Sequence, residues 1–186
     1  MNKFAAIILL SINMFYCNRY EKEIDQLAIA KRHFTVLDDS NYSKVDFWFS
    51  DSLIIEEGSY KQVYSKNEYI ELLKWDSVFD PSYEIIELLK LEKGVKARIS
   101  KLDKRIAFLH GKPFITNQTL RFEKSKIVSI EIEYSNFNDS IWSARKNELL
   151  RWIEKNHPEL NGFIYDQTES GGEKFLRALE LYQLRH

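Results

Sequence analysis

The stretch Thr119-Leu120-Arg121-Phe122-Glu123-Lys124-Ser125-Lys126-Ile127-Val128-Ser129-Ile130-Glu131-Ile132-Glu133-Tyr134 decides the fold class. Val128, Ile130, Ile132 and Tyr134 alternate with Ser129, Glu131 and Glu133, the period of two that buries one face of a strand. Before it, residues 114–123 carry Thr116, Thr119 and Phe122, which favour extended backbone. Glu123 to Lys126 reads as the loop of a hairpin. Upstream, Gly111-Lys112-Pro113 turns the chain, and residues 105–110 read as a short strand after an Asp103-Lys104 turn. Val95, Ala97 and Ile99 alternate with Lys96, Arg98 and Ser100, and Gly94 marks the turn before them. Residues 83–91 are apolar with β-branched content, although Ile85, Ile86, Leu88 and Leu89 also fit helical spacing.

Helices flank this meander. Over residues 21–39, Ile24, Leu27, Ala28, Phe34 and Leu37 recur at spacings of three and four. Asp38-Asp39-Ser40-Asn41 breaks the pattern, and a second short helix is expected at about 42–49. Residues 53–57 read as a strand closed by Gly58-Ser59. Ser65-Lys66-Asn67-Glu68 is a capping box, opening a helix that continues through Tyr69, Leu72 and Leu73 and fades before Pro81. After the last strand, Asp139 is the expected cap of a helix with Ile141, Leu149, Trp152 and Ile153 on its stripe, ended by Asn156-His157-Pro158. A loop covers residues 159–172, and a final helix at about 173–184 turns Phe175, Leu176, Leu179 and Tyr182 inward. Helices followed by an antiparallel meander give an α+β chain with its helices on one sheet face.

The 186 residues suit one domain with an appendage. Lys and Arg number 27 against 28 Asp and Glu, so the net charge is −1, and a nucleic-acid partner is not expected. With 4 Trp, 10 Tyr and 12 Phe, aromatic side chains are available for a core or a binding hollow. One Cys excludes an intramolecular disulfide and a thiolate metal cluster within the chain. Phosphate-loop, nucleophile-elbow and H-E-x-x-H motifs are missing, and the His at 33, 110, 157 and 186 are scattered, so no cofactor and no metal are expected.

The N-terminus, Met1-Asn-Lys-Phe-Ala-Ala-Ile-Ile-Leu-Leu-Ser-Ile-Asn-Met-Phe-Tyr-Cys17, has a basic start and an apolar run too short for a comfortable membrane span. Cys17 stands where the run ends. This resembles a bacterial lipoprotein leader, which implies lipidation at Cys17, a membrane anchor and a place in the cell envelope. Met14, Phe15 and Tyr16 depart from the usual Leu and small residues before the cysteine. A plain secretory leader, an uncleaved anchor and a buried first helix are the alternatives.

Three segments carry a second resemblance. They are Tyr64-Ser65-Lys66-Asn67-Glu68-Tyr69, Phe79-Asp80-Pro81-Ser82-Tyr83-Glu84-Ile85, and the hairpin quoted above, closing on Glu133-Tyr134. In this order they resemble the nuclear-transport-factor-2-like superfamily, with its ketosteroid-isomerase-like and polyketide-cyclase-like members. The likeness covers residues 24–136; Ser125 stands where the closing turn usually has Gly. It implies N-terminal helices packed on a strongly curved, mostly antiparallel sheet forming a cone with a hollow, and a C-terminal helical extension. The expected organisation is a leader at 1–16, a cone domain at 17–136 and an extension at 137–186 that caps the cone, covers a sheet edge or forms a homodimer face.

Each candidate residue has two readings. His110 is a base at the mouth of the hollow, or a turn histidine bonding backbone. Asp76 is an acid in the cone, of the kind isomerase-like relatives use to abstract a proton although no motif aligns it to that acid, or a helix-end carboxylate in an ion pair. Glu131 and Glu133 share a strand face that either lines the hollow or meets water. Arg98, Arg105 and Arg121, from three successive expected strands, form an anion clamp or pair with Glu across strands. Tyr60, Tyr64, Tyr69, Trp75, Phe79 and Tyr83 are core, or the lining of an apolar pocket with polar handles. The expected function is binding of a small, partly apolar ligand in the cone. The alternatives are an acid–base enzyme on the same fold and an envelope interaction module that docks a partner through Trp142, Trp152 and Phe163.

Overall fold

The computed structural model describes residues 25–42 and 49–185. The leader, Cys17 and most of the helix expected at 42–49 lie outside these residues, and Phe49 opens a strand.

Helix α1 (Gln26–Asp38) starts at Asp25, whose carboxylate accepts the Ala28 N–H. Strands β1 (Phe49–Glu57) and β2 (Tyr60–Ser65) form a hairpin. Helix α2 (Lys66–Ser77) begins at the capping box. The Ser65 hydroxyl accepts the Glu68 N–H at 3.3 Å, and the Glu68 carboxylate accepts the Ser65 N–H at 2.7 Å. Strands β3 (Ser82–Leu91) and β4 (Gly94–Leu102) follow, then helix α3 (Lys104–Leu109) and strands β5 (Phe114–Glu123) and β6 (Lys126–Tyr134). The tail is α4 (Asp139–Asn156), two 3-10 turns (Pro158–Leu160, Phe163–Tyr165) and α5 (Glu169–Gln183).

The strands make one sheet in the order β2-β1-β6-β5-β4-β3. Every neighbouring pair is antiparallel except β1 and β6, which run parallel. Register shifts interrupt three of the ladders, between Phe49 and Ile54, Ile85 and Glu87, and Arg121 and Phe122. Such irregularities increase strand twist and bend a sheet. The curved sheet and its helices have the expected α+β architecture.

Residues 105–110 correct one expectation: instead of a strand, they are all but the first residue of helix α3 (Lys104–Leu109) and its C-cap His110. Asp103 caps them, its carboxylate accepting the Ile106 N–H at 2.6 Å. The Asp103-Lys104 turn signal is therefore a helix cap, and Ile106 and Leu109 point inward at helical spacing. Strand β2 was not legible as a strand, because four of its six residues are exposed on an edge and show no apolar alternation. Residues 83–91 are extended, which resolves their helical ambiguity, and α5 starts earlier than expected, at a Thr168 cap. Gly171 and Gly172 thus lie inside its first turn. A Cβ on Gly171 would stand 2.2 Å from the Asp166 carbonyl oxygen, so glycine there lets the preceding loop fold back on the helix start, and one on Gly172 would stand 3.0 Å from the Trp75 carbonyl oxygen, so glycine there lets α5 seat closely on α2.

Two apolar cores result. The first joins α1 and α2 to the concave sheet face through Phe34, Leu53, Ile99, Leu120 and Ile127. The second lies among α2, α3, α4 and α5 and contains Phe79, Leu109, Leu149, Ile153 and Phe163. Each fully buried side chain of this kind contributes roughly 1.5–3 kcal/mol. Phe163 is buried, and Trp142 and Trp152 pack half-buried against the second core. These three side chains therefore turn toward the second core, while Phe137 and Tyr165 of the tail are exposed.

Candidate functional site

Between the concave face and the helices lies a hollow of about 370 Å3. Strand register decides what enters it. Gln118, Ile132, Glu57 and Tyr60 are consecutive cross-strand partners on β5, β6, β1 and β2, and all four line the hollow. Lys101 is in phase with buried Val95, Ala97 and Ile99, so its stem follows the apolar face and its ammonium reaches the interior. Helix α2 supplies Tyr69, Leu73 and Asp76 at spacings of four and three, one face of a helix. Trp75, turned aside from them, leads into the second core.

One end of the hollow is ionic. Lys101 Nζ donates to Asp76 Oδ1 at 2.5 Å, and the Tyr83 hydroxyl donates to Asp76 Oδ2 at 2.9 Å. Arg105 Nη2 stands 3.6 Å from Asp76 Oδ1 and donates to Asp103 Oδ2 at 3.1 Å. The Arg105 guanidinium also lies over the rings of Trp75, 4.6 Å from the centroid, and Phe79, at 5.1 Å. Burial pushes the Asp76 carboxyl up, but the Lys101 and Arg105 charges and the bonds from Lys101 and Tyr83 outweigh it and hold it below the usual carboxylate range. Asp76 is thus a fixed anion. Burial and the adjacent Asp76 keep the Tyr83 hydroxyl protonated.

The rim behaves differently. Burial of the carboxyl raises Glu57 above the usual range, against the pull of Lys101, Arg105 and a hydrogen bond with Tyr134. The residue as a whole stays exposed at the mouth, so this carboxyl keeps access to solvent. Burial, then the Glu57 charge, raises the Tyr134 phenol. On the α1 side, burial pulls the His33 imidazole down to about 3, leaving a neutral ring between Phe34 and Phe49. Leu37, Ile55, Leu72, Phe114 and Ile132 complete an apolar wall.

Of the residues singled out in the sequence, Tyr60, Tyr64, Tyr69, Trp75, Asp76, Tyr83 and Arg105 line this hollow, while Phe79 belongs to the second core. Arg98 and Arg121 do not line it, and the three-strand arginine clamp does not form. Arg98 faces Asn117, itself opposite Glu133, and Arg121 lies 4.0 Å from Glu131. All four charged groups are exposed on the convex face, so Glu131 and Glu133 meet water instead of the hollow. His110 is buried outside the hollow, its Nδ1 paired with the Lys112 carbonyl at 2.9 Å and its Nε2 accepting the Asn138 N–H at 3.2 Å. This is the turn-histidine reading. Glu57, Lys101 and His33 line the hollow as well, without a motif that marks them. Lys101 in phase with Val95, Ala97 and Ile99, and Glu57 in phase with Leu53 and Ile55, were the available signals.

No protein-family model matches the chain, and no curated protein matches it. Solved structures do. A proposed polyketide cyclase from Acidithiobacillus ferrooxidans superposes with a TM-score of 0.53 at 10% identity, covering 66% of this chain and 94% of that one. The fold is nuclear-transport-factor-2-like. A proposed ketosteroid isomerase from Kribbella flavida gives 0.51 at 9% identity, covering 61% and 80%. A nuclear-transport-factor-2-like protein of unknown function from Cytophaga hutchinsonii gives 0.50 at 10%, covering 62% and 94%. A de novo designed curved-sheet protein reaches 0.50 as well, so a nuclear-transport-factor-2-like scaffold does not by itself specify an activity.

Proposed function

We propose that the hollow binds a small, partly apolar molecule whose polar end faces the Asp76–Lys101–Arg105 cluster. The observation that carries this is a hollow of about 370 Å3 with an apolar wall and one ionic end. Its size falls in the ordinary range for small-molecule sites, about 300–1,000 Å3. Similar folds described as a proposed isomerase and a proposed cyclase favour a ligand in this place. Native mass spectrometry of gently purified protein, with organic extraction of what it carries, tests the reading. A bound small molecule that is lost in Leu73→Trp, which fills the hollow, supports it. Absence of any retained or added ligand, with no thermal shift across a panel of amphiphiles, overturns it.

The raised Glu57 favours a second reading, acid–base catalysis. Its carboxyl faces the ligand space beside the Tyr134 hydroxyl and, unlike that of Asp76, is held above the usual carboxylate range, the direction that suits a general acid or base. Glu57→Gln would then lower turnover by about 10²–10⁴-fold while leaving ligand affinity nearly unchanged.

We also propose export with a lipid anchor on Cys17. This rests on the basic start and apolar run at 1–16, directly before the only cysteine of the chain. Mass spectrometry of the membrane fraction tests it: an N-terminal cysteine carrying acyl mass supports the anchor, and a protein still beginning at Met1 overturns it.

A further inference from the structure

A second cavity of about 290 Å3 lies where the cone meets the tail. Leu109 of α3, Leu150 of α4, Ile164 of a 3-10 turn and Phe175 of α5 give it apolar walls. Trp75, Arg105 and Gln167 line both cavities, and the stacked Trp75–Arg105 pair stands with the Gln167 amide between this cavity and the first hollow.

Helix α4 carries the informative residue. Trp142, Lys146 and Leu150 are spaced by four and occupy one inward stripe, so a lysine stands between two apolar residues that line the cavity. Its neighbour Arg145 is engaged, donating to the Phe108 carbonyl at 2.9 Å. Lys146 has neither an ion pair nor a hydrogen bond among the described residues, and no carboxylate lines the cavity. Behind the stacked pair, Asp76 and Asp103 are already held by Arg105 and Lys101. The cavity therefore combines apolar walls with a cation that nothing among the described residues neutralises. Such a cation favours a ligand of opposite charge.

We propose that this cavity is a second ligand site, taking a small anionic amphiphile: an apolar chain or ring with one anionic head. The head pairs with Lys146 at the mouth, and the chain lies against Trp142, Leu150, Ile164 and Phe175. The site is independent of the reading of the first hollow, and the two can fail separately.

Sodium decanoate, kept below its micelle concentration, is the probe, and 1-decanol is the neutral control. Binding is read by calorimetry and by fluorescence of the wall residues Trp75 and Trp142. Saturable decanoate binding is expected, weakened at least about tenfold in Lys146→Glu because a charge-assisted contact is lost. Decanol should bind more weakly and respond little to that variant. Leu150→Trp should abolish decanoate binding by filling the cavity, and circular dichroism melts check that each variant folds. Leu73→Trp, which fills the first hollow, should leave decanoate binding intact. Equal decanoate affinity in wild type and Lys146→Glu overturns the proposal, as does a lack of saturable binding. Loss of binding in Leu73→Trp alone also overturns it and moves the amphiphile into the first hollow.

Discussion

Asp76 and Glu57 border the same hollow with opposite electrostatics. Asp76 is depressed below its usual 3.8, so its contribution to stability is present above that value and is lost as pH falls through its folded pKa. Asp76→Asn removes the nearer counter-charge of Lys101 and one of the two of Arg105, leaving both cations to share Asp103. It should cost about 3 kcal/mol at pH 7 in urea denaturation, with the difference closing toward pH 2. Glu57 is raised above 4.5, so its favourable contribution is present below that value and is lost as pH rises through its folded pKa. The melting temperature of Glu57→Gln relative to wild type should therefore climb from pH 4 to pH 8. A flat difference would mean that the carboxyl is fully solvated at the mouth. His110 shows the opposite use of a titratable ring. Both nitrogens hold backbone, one before β5 and one at the start of α4, so its role is to join the cone to the tail.

At the scale of elements, short local signals fix where helices begin. The Ser65 box was readable because its two reciprocal bonds span three residues. Ser65→Ala should cost about 1 kcal/mol. Asp103 carries more, since it caps α3 and also holds the Arg105 guanidinium, with its side chain fully buried. Asp103→Ala should therefore destabilise clearly more than Ser65→Ala in the same chemical denaturation series, and equal losses would show that the Arg105 pair adds nothing. The strand-like look of residues 105–110 has the same origin. Asp-Lys is compatible with a turn or a cap, and a six-residue element is too short for periodicity to arbitrate. Strand β2 escaped because an edge strand needs little apolar surface, and its evidence is the pairing with β1.

For the whole molecule, α2 is the hinge of the design. Tyr69 and Leu73 close the cone core, while Trp75 and, just beyond the helix, Phe79 enter the core shared with the tail. The extension therefore completes the fold. A chain ending at residue 137 would uncover Trp75, Phe79 and Leu109. It should aggregate or lose its cooperative melting transition in calorimetry; a truncated chain that melts like the full one would show the cone to be autonomous.

The sequence by itself determined the α+β class and the type of most elements, though not of α3, β2 or the ambiguous β3. Alternation in β4 and β6, the apolar stripes of α1 and α5 and the capping box are local patterns, imposed by the geometry of one strand or one helix. It also exposed the polar faces, so that Glu131 and Glu133 could be weighed as solvated. Only the tertiary structure decided the site. Whether Arg98 or Lys101 reaches the hollow depends on register and on which side of the sheet is concave. A shift of one residue along a strand exchanges the two faces. Asp76, Lys101, Arg105 and Glu57 come from four different elements, and no local pattern records that they meet. Their charges acquire chemical meaning through burial and mutual distance, and both are properties of the folded chain.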